Sequence, residues 1–548
     1  MTTSTYDQLQ QLADEFWIWR AQNQPVSSDD IPRIERPADW APDWSRAAFD
    51  RRRGELTDFE KRHQEIDPQS WPISQQVDYR LIGSAIARVN WELNVTRGQE
   101  RNPGFYVDQT FGLLFLLVLK SPPFTEVRSR NIVRALQSFP ATVASAKENL
   151  AGQAIRPFAH AALEKLGTAK SCLTKVGTEL GPLLSGVDRS EFNQSISEAI
   201  AALESLHEWL NAELPNMSEA SAAGREAYLY FLKEVALMPF TPEQLLVMGA
   251  HEWERSVAFE TCEQTRNQGL PELDLFPDQA TQMAQEEFWE ETARRFLEAK
   301  NILSVPGWMK HYRNLPLPRY VEPLSFMGVT DDLTSDTRLD EDGISYIKPP
   351  APDLDYFSLS IAKDPRPLIV HEGVPGHYFQ MSLSWAHENK IRRRYYDSGA
   401  NEGIGFYAEE LMLQFGFFDD KPKLREIMYN FMRLRALRVE VDVKLATGEF
   451  TIDQAAERLE KIVPVDRGTA RQEAVFFASS PGQAITYQIG KLQIVKFLAD
   501  ARLQQKEKFS LRAFHDYLWK NGNVPVALLR WEHLGLSDEI ELLDGSTS

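Results

Sequence analysis

The chain has few cysteines and no long apolar run. Cys172 and Cys262 are the only two among 548 residues, and neither sits in a C-x-x-C pair, which excludes a disulfide framework and a cysteine-rich zinc module. The most apolar stretch, "GLLFLLVL" from Gly112 to Leu119, is far shorter than the ~20 residues of a bilayer span and is expected as a buried helix segment. No basic segment followed by an apolar one opens the chain, so no secretory leader is read and the cytoplasm is the expected compartment. Basic residues are in deficit: 60 Lys and Arg against 79 Asp and Glu give a net charge of -19. That balance argues against nucleic acid and anionic membrane surfaces as partners. There is no G-x-x-x-x-G-K-[ST] phosphate loop and no G-x-S-x-G elbow, and Gly403-Ile404-Gly405 lacks the third glycine of a dinucleotide site.

What is present is the material of a large helical core. Hydrophobic residues make up 43% of the chain, with 13 Trp, 16 Tyr and 30 Phe, which excludes global disorder. Apolar residues recur at helical spacing through most of the sequence, and Thr241 with Gln244 three residues later forms a capping-box pattern. Near residue 303 the composition turns proline-rich, and turn signals such as Asp342-Gly343 follow. The fold class is therefore mainly α, with a small β patch near residues 320–350. Three segments are expected: an N-terminal helical half over 1–302, a connector over 303–364, and a C-terminal helical half over 365–548. Together they make one body.

The chemistry concentrates in "HEGVPGH", with histidines at 371 and 377. Two imidazoles four residues apart share a helix face, but at ~3.6 residues per turn a separation of six places them roughly 120° apart. Pro375 cannot continue an undisturbed helix, and Gly376 tolerates the conformation that results. A metal site here requires the backbone to break or bulge between Gly373 and His377. Glu402 and Glu409 fall on one face of a later helix with Phe406 and Leu413. A buried carboxylate needs a partner, and a divalent cation is one. His371, His377 and Glu402 would be three ligands with a fourth position open, Glu372 a general base, and Glu409 an acceptor for an imidazole N–H. The bland alternative makes Glu402 an acid favoured by a helix N-terminus and the histidines core residues; spacing alone leaves both open. Elsewhere, Arg435 and Arg438 share a face with Asp442; structural ion pairing is the expected role, with binding of a substrate carboxylate as the alternative. "RRRYY" from Arg392 is expected as a solvated charge run, His515 as a packed histidine near Asp516, and His251-Glu252 as incidental.

"VHEGVPGHYFQ", "NEGIGFYAEEL", "SSPGQAITYQIGKL" and "FSLRAFHDYLWKNGNVP" together resemble the bacterial domain-of-unknown-function family eight-eight-five. The resemblance spans nearly the whole chain. It implies a gluzincin-like zinc hydrolase with a deep cleft between two helical lobes, His371, His377 and Glu402 on the metal, and Glu372 as the base. Zinc is the implied cofactor ahead of iron or manganese, and the substrate a peptide or small amide. Tyr487 is expected to donate to the oxyanion, with Gln483 a weaker polar candidate. Ile404, Ala446 and Phe477 depart from the family pattern at positions expected to touch the substrate. A metal enzyme of another class on the same ligands, or a helical binding protein with a vestigial site, are the alternatives; the oligomeric state is not readable.

Overall fold

Thr241 and Gln244 cap each other reciprocally at the start of helix Pro242–Arg266. The capping box satisfies two backbone donors that the first turn would leave open. "GLLFLLVL" supplies helix Leu113–Leu119, whose Leu114, Phe115 and Val118 are fully buried. Such helices make up most of the chain; the computed structural model describes residues 5–27, 35–37, 40–463 and 465–545. No helix among the described residues is long and apolar enough to cross a membrane.

One three-stranded sheet interrupts the helices, with strands β1 (Tyr312–Pro316), β2 (Asp331–Asp332) and β3 (Gly343–Ile347) in the order β1-β3-β2. β1 runs parallel to β3 and β2 antiparallel to it. Gly343 is already the first residue of β3, and the turns fall just before it, at residues 336–337 and 339–340; β1 begins ahead of the expected patch, inside the proline-rich stretch. Pro316 ends β1 on the sheet's edge, where a missing N–H is tolerated. The free side of β1 faces helix Gln279–Ala299, whose buried Glu290 lies 3.3 Å from the Tyr312 N–H.

A single hydrophobic cluster runs from Leu9 through Tyr312 and Tyr346 to Leu543, so all three segments share a core. A cavity of about 610 Å³ opens between N-terminal residues such as Trp17 and Arg88 and C-terminal ones such as Tyr396 and Gln483. Arg392 corrects the reading of "RRRYY": it is 7% exposed and bridges Asp78 at 2.9 Å and Glu532 at 2.6 Å. Asp78, buried on helix Ile73–Asn90, needs a cation, and the helix Lys390–Arg394 delivers one.

Four helices bring the motifs together. Ser398–Gln414 carries Glu402, and Thr486–Gln505 carries Tyr487. They cross backbone to backbone: a Cβ on Gly490 would lie 2.1 Å from the Gly399 carbonyl oxygen. Pro422–Thr447 presents Arg435, Arg438 and Asp442, and packs along helix Pro242–Arg266. The fourth, His377–Trp385, starts on a metal-motif histidine.

Candidate metal centre

The helical turn before the motif widens, so that the Val374 N–H reaches the Ile369 carbonyl five residues back at 2.7 Å. It ends at Gly373, Val374 is extended (φ -128°, ψ 115°), and a new helix starts at His377. The backbone thus breaks between Gly373 and His377, where the spacing argument requires it. Gly376 is needed because the chain packs against it: a Cβ there would sit 1.7 Å from the His371 carbonyl oxygen. Trp519 pins the loop by donating to the Pro375 carbonyl at 2.6 Å.

The break brings the two imidazole centroids to 4.7 Å, with ring planes at 79°. Both rings lie against Gly405, one turn along from Glu402, where a Cβ would meet His371 Cε1 at 3.0 Å and His377 Cε1 at 3.1 Å. Glu402 Oε2 lies 3.4 Å from His371 Nε2 and 3.3 Å from His377 Nε2. One ligand atom from each of the three residues falls within 4.8 Å of the others, and all three residues are buried. Glu402 Oε2 makes no hydrogen bond and has no Lys or Arg within ion-pair reach among the described residues. A buried carboxylate oxygen facing two imidazole nitrogens is a donor set that fits a borderline divalent cation.

Charge around the cluster is ordered. Burial disfavours a proton on His371, but the carboxylates of Glu402 and Glu409 outweigh it and raise its pKa to about 9. Burial likewise works against the Glu402 carboxylate, and the two imidazoles, His377 foremost, hold it well below the usual range. The same arrangement that draws protons to the rings would draw a divalent cation. Glu409 Oε1 stands 2.6 Å from His371 Nδ1, and Arg435 grips both Glu409 oxygens, at 2.8 and 3.2 Å. This chain of Arg435, Glu409 and His371 fixes the ring orientation. Glu372 is half-buried, its Oε2 lacks a hydrogen bond, and its charge helps hold the Tyr312 phenol protonated after burial and Asp331.

The shared face of Arg435, Arg438 and Asp442 is real, but the expected ion pairs among them are not. Arg435 serves Glu409, Arg438 pairs with Glu473 through Nε and Nη2, and Asp442 meets no cation among the described residues. Its carboxylate instead accepts from Gly482 N at 2.9 Å, Ala484 N at 2.7 Å and Tyr228 Oη at 3.0 Å. Burial outweighs these bonds and pushes its pKa up to about 7. "PGQA" is therefore a nest of backbone N–H groups filled by the protein's own Asp442. Side-chain spacing could reveal the face; partners contributed by distant helices were invisible to it.

From that nest Gln483 accepts from Ser398 Oγ at 2.9 Å, and the next helix carries Tyr487. The Tyr487 ring stacks on His371 at 6.2 Å between centroids and lies 4.9 Å from Arg438 Cζ. Gln483 and Ser398 also line the cavity between the halves, whereas His371, Glu372, His377, Glu402 and Tyr487 do not. The cavity stops beside the cluster, one helical turn from Glu402. Ile404, Ala446 and Phe477 are all core residues, 1%, 2% and 3% exposed; Ile404 adjoins the Gly405 that both rings lie against, and Phe477 lies 5.5 Å from Arg438 Cζ. His515 is packed, but its partners are the Ile302 carbonyl and Tyr407 rather than Asp516, which caps Ser304. His251 is exposed, while Glu252 is half-buried and pairs with Lys491.

Fold and site define a mainly helical protein with a buried His-His-Glu cluster held by a broken helix. The chain belongs to the bacterial family of proteins of unknown function DUF885, whose model matches residues 32–301 and 335–532. Two solved structures share the fold. One is a proposed lipoprotein of unknown function from Shewanella oneidensis, with TM-score 0.71, 16% identity, and 96% of this chain and 99% of that one covered. The other is a proposed lipoprotein from Colwellia psychrerythraea, with TM-score 0.73, 17% identity, and 98% and 100% covered. No curated protein matches the chain.

Proposed function

We propose that this protein is a metal-dependent hydrolase that cleaves peptide or other amide bonds, with His371, His377 and Glu402 holding the ion. The observation that carries the reading is the convergence of three buried ligand atoms within 4.8 Å, beside a carboxylate, Glu372, that is not a member of that set. When bound, zinc, or iron or manganese in its place, supplies Lewis-acid chemistry: it polarises a carbonyl and lowers the pKa of water. Glu372 accepts the proton of the attacking water at its unbonded Oε2 and returns it to the leaving amine. Glu409 and Arg435 keep the His371 tautomer and ring plane fixed. Tyr487, stacked on His371, donates its phenol O–H to the oxyanion, a contact that acts strongly in a water-poor site.

Metal analysis of protein purified without added metal tests the reading. One zinc per chain, lost in His377→Ala, supports it. Iron would favour oxygen chemistry on the same two-histidine, one-carboxylate frame. No metal under any condition would leave a binding protein. With metal present, Glu372→Gln should keep the ion and lose at least a hundredfold in turnover of peptide or amide panels, as general-base losses typically do (~10²–10⁴).

A further inference from the structure

Arg435 and Arg438 stand one turn apart on the same helix face, yet their surroundings differ. Arg435 is committed to Glu409, which it meets at 2.8 and 3.2 Å. Arg438 gives Nε and Nη2 to Glu473, and its Nη1 makes no hydrogen bond among the described residues. That nitrogen is not among the fully buried, unbonded polar atoms, which include Arg435 Nε, so it keeps a little exposure in a residue that is 7% exposed overall. Around the guanidinium stand three rings: Tyr487 at 4.9 Å, Phe477 at 5.5 Å and Phe357 at 5.8 Å from Cζ. Burial works against its charge, and Glu473, Tyr487 and Glu402 together keep it protonated. Arg438 is thus a fixed cation beside Tyr487, near a candidate metal ligand, with one N–H₂ edge open.

The chemistry of that edge selects its ligand. Glu473 holds the guanidinium plane on one side, so no rotamer freedom is lost when a second partner binds the other. The aromatic walls lower the local dielectric and strengthen a charge-assisted hydrogen bond made there. A neutral carbonyl would use the edge weakly; a carboxylate matches its charge. We propose that Arg438 binds a carboxylate of the substrate, so that preferred substrates are peptides or acylated amino acids with a free carboxylate beside the amide that is cleaved. This rests on the hydrolase reading and adds a substrate class to it.

The test uses the zinc-loaded full chain and calorimetric binding of N-benzoyl-phenylalanine, its primary amide, and N-benzoyl-aspartic acid α-amide. The first acid should bind at least tenfold more tightly than its amide. Comparable binding of the aspartate derivative would assign the site to side-chain carboxylates, and weaker binding to the terminal one. The double variant Arg438→Met with Glu473→Gln removes the pair without stranding a charge and should bind acid and amide equally. Should it not fold, Arg438→Lys decides: the acid-to-amide ratio must fall severalfold, because a point charge does not reproduce the fixed edge. Equal binding by the wild type, no binding of either acid, or a ratio unchanged in the variants overturns the proposal. Turnover separates the two claims. A carboxylate preference without hydrolysis of any acyl amino acid or peptide would sink the hydrolase reading alone; hydrolysis indifferent to the carboxylate would sink this one alone.

Discussion

The helix Ser398–Gln414 has two buried polar sides that solve the same problem differently. On one, Glu410 meets Lys491 at 2.7 Å and also pairs with Arg255, while Glu252 completes the group with Lys491 at 3.0 Å and Arg255 at 3.3 Å. Two acids face two bases, and each carboxylate touches a permanent cation. On the other side Glu409 has Arg435, but Glu402 has only two imidazoles and an oxygen without a hydrogen bond. The first side is closed and needs nothing more. The second gives Glu402 no permanent cation among the described residues, only imidazoles that a proton or a metal ion can charge, at the point where the broken helix aims two ring nitrogens. Burial alone does not mark a site; a carboxylate left to an exchangeable charge among converging ligands does.

Breaking that contrast gives measurable outcomes. Glu402→Gln should remove the third ligand and weaken zinc by about a thousandfold, roughly a third of the ~10–16 kcal/mol that zinc sites provide. Equilibrium dialysis reads it, and the loss in zinc binding should exceed the change in unfolding of the metal-free protein. Lys491→Met should do the reverse. It leaves two half-buried carboxylates to share Arg255 alone and is expected to cost about 1–3 kcal/mol in urea unfolding, with zinc stoichiometry intact. If Lys491→Met lost zinc while staying folded, the two sides would not be independent.

A pH effect of similar size belongs to His515, which reaches the same helix through Tyr407. Burial, opposed by its bond to the Ile302 carbonyl, lowers its pKa from 6.5 to about 4. The unfolded chain therefore takes up that proton first as pH falls. The stability contribution is whole above pH 6.5 and is lost towards pH 4, roughly 3 kcal/mol at ~1.36 kcal/mol per pH unit. The wild-type minus His515→Gln difference in unfolding free energy should fall by about 2–3 kcal/mol between pH 7 and 4.5; a constant difference would refute the assignment. The smallest effect expected is that of Glu409→Gln, which keeps an acceptor for His371 but loses charge. It should weaken zinc about 10–100-fold, as losses of such supporting groups do.

Much of this was legible from residues in one local stretch. The Thr241–Gln244 cap, the buried "GLLFLLVL" helix and the forced break at Pro375-Gly376 each depend on a few neighbours and on rules that hold anywhere. The face joining Arg435, Arg438 and Asp442 could be counted, but not what it meets. Glu409, Glu473 and the "PGQA" turn arrive from other helices, so the inferred pairs were the nearest in sequence and not in space. "RRRYY" failed for the same reason, since a charge run looks solvated until a buried Asp78 from over 300 residues away is placed beside it.

The sequence by itself determined that the chain is mainly helical, that its helix must break between Gly373 and His377, and that two histidines and a glutamate of the right chemistry stand on adjoining segments. Those are consequences of backbone geometry and residue type, which act locally. Only the tertiary structure decided which carboxylates receive a cation from the protein and which does not. Desolvation and pairing are properties of packed neighbours, and the neighbours of Glu402, Glu410 and Arg438 come from helices far apart along the chain.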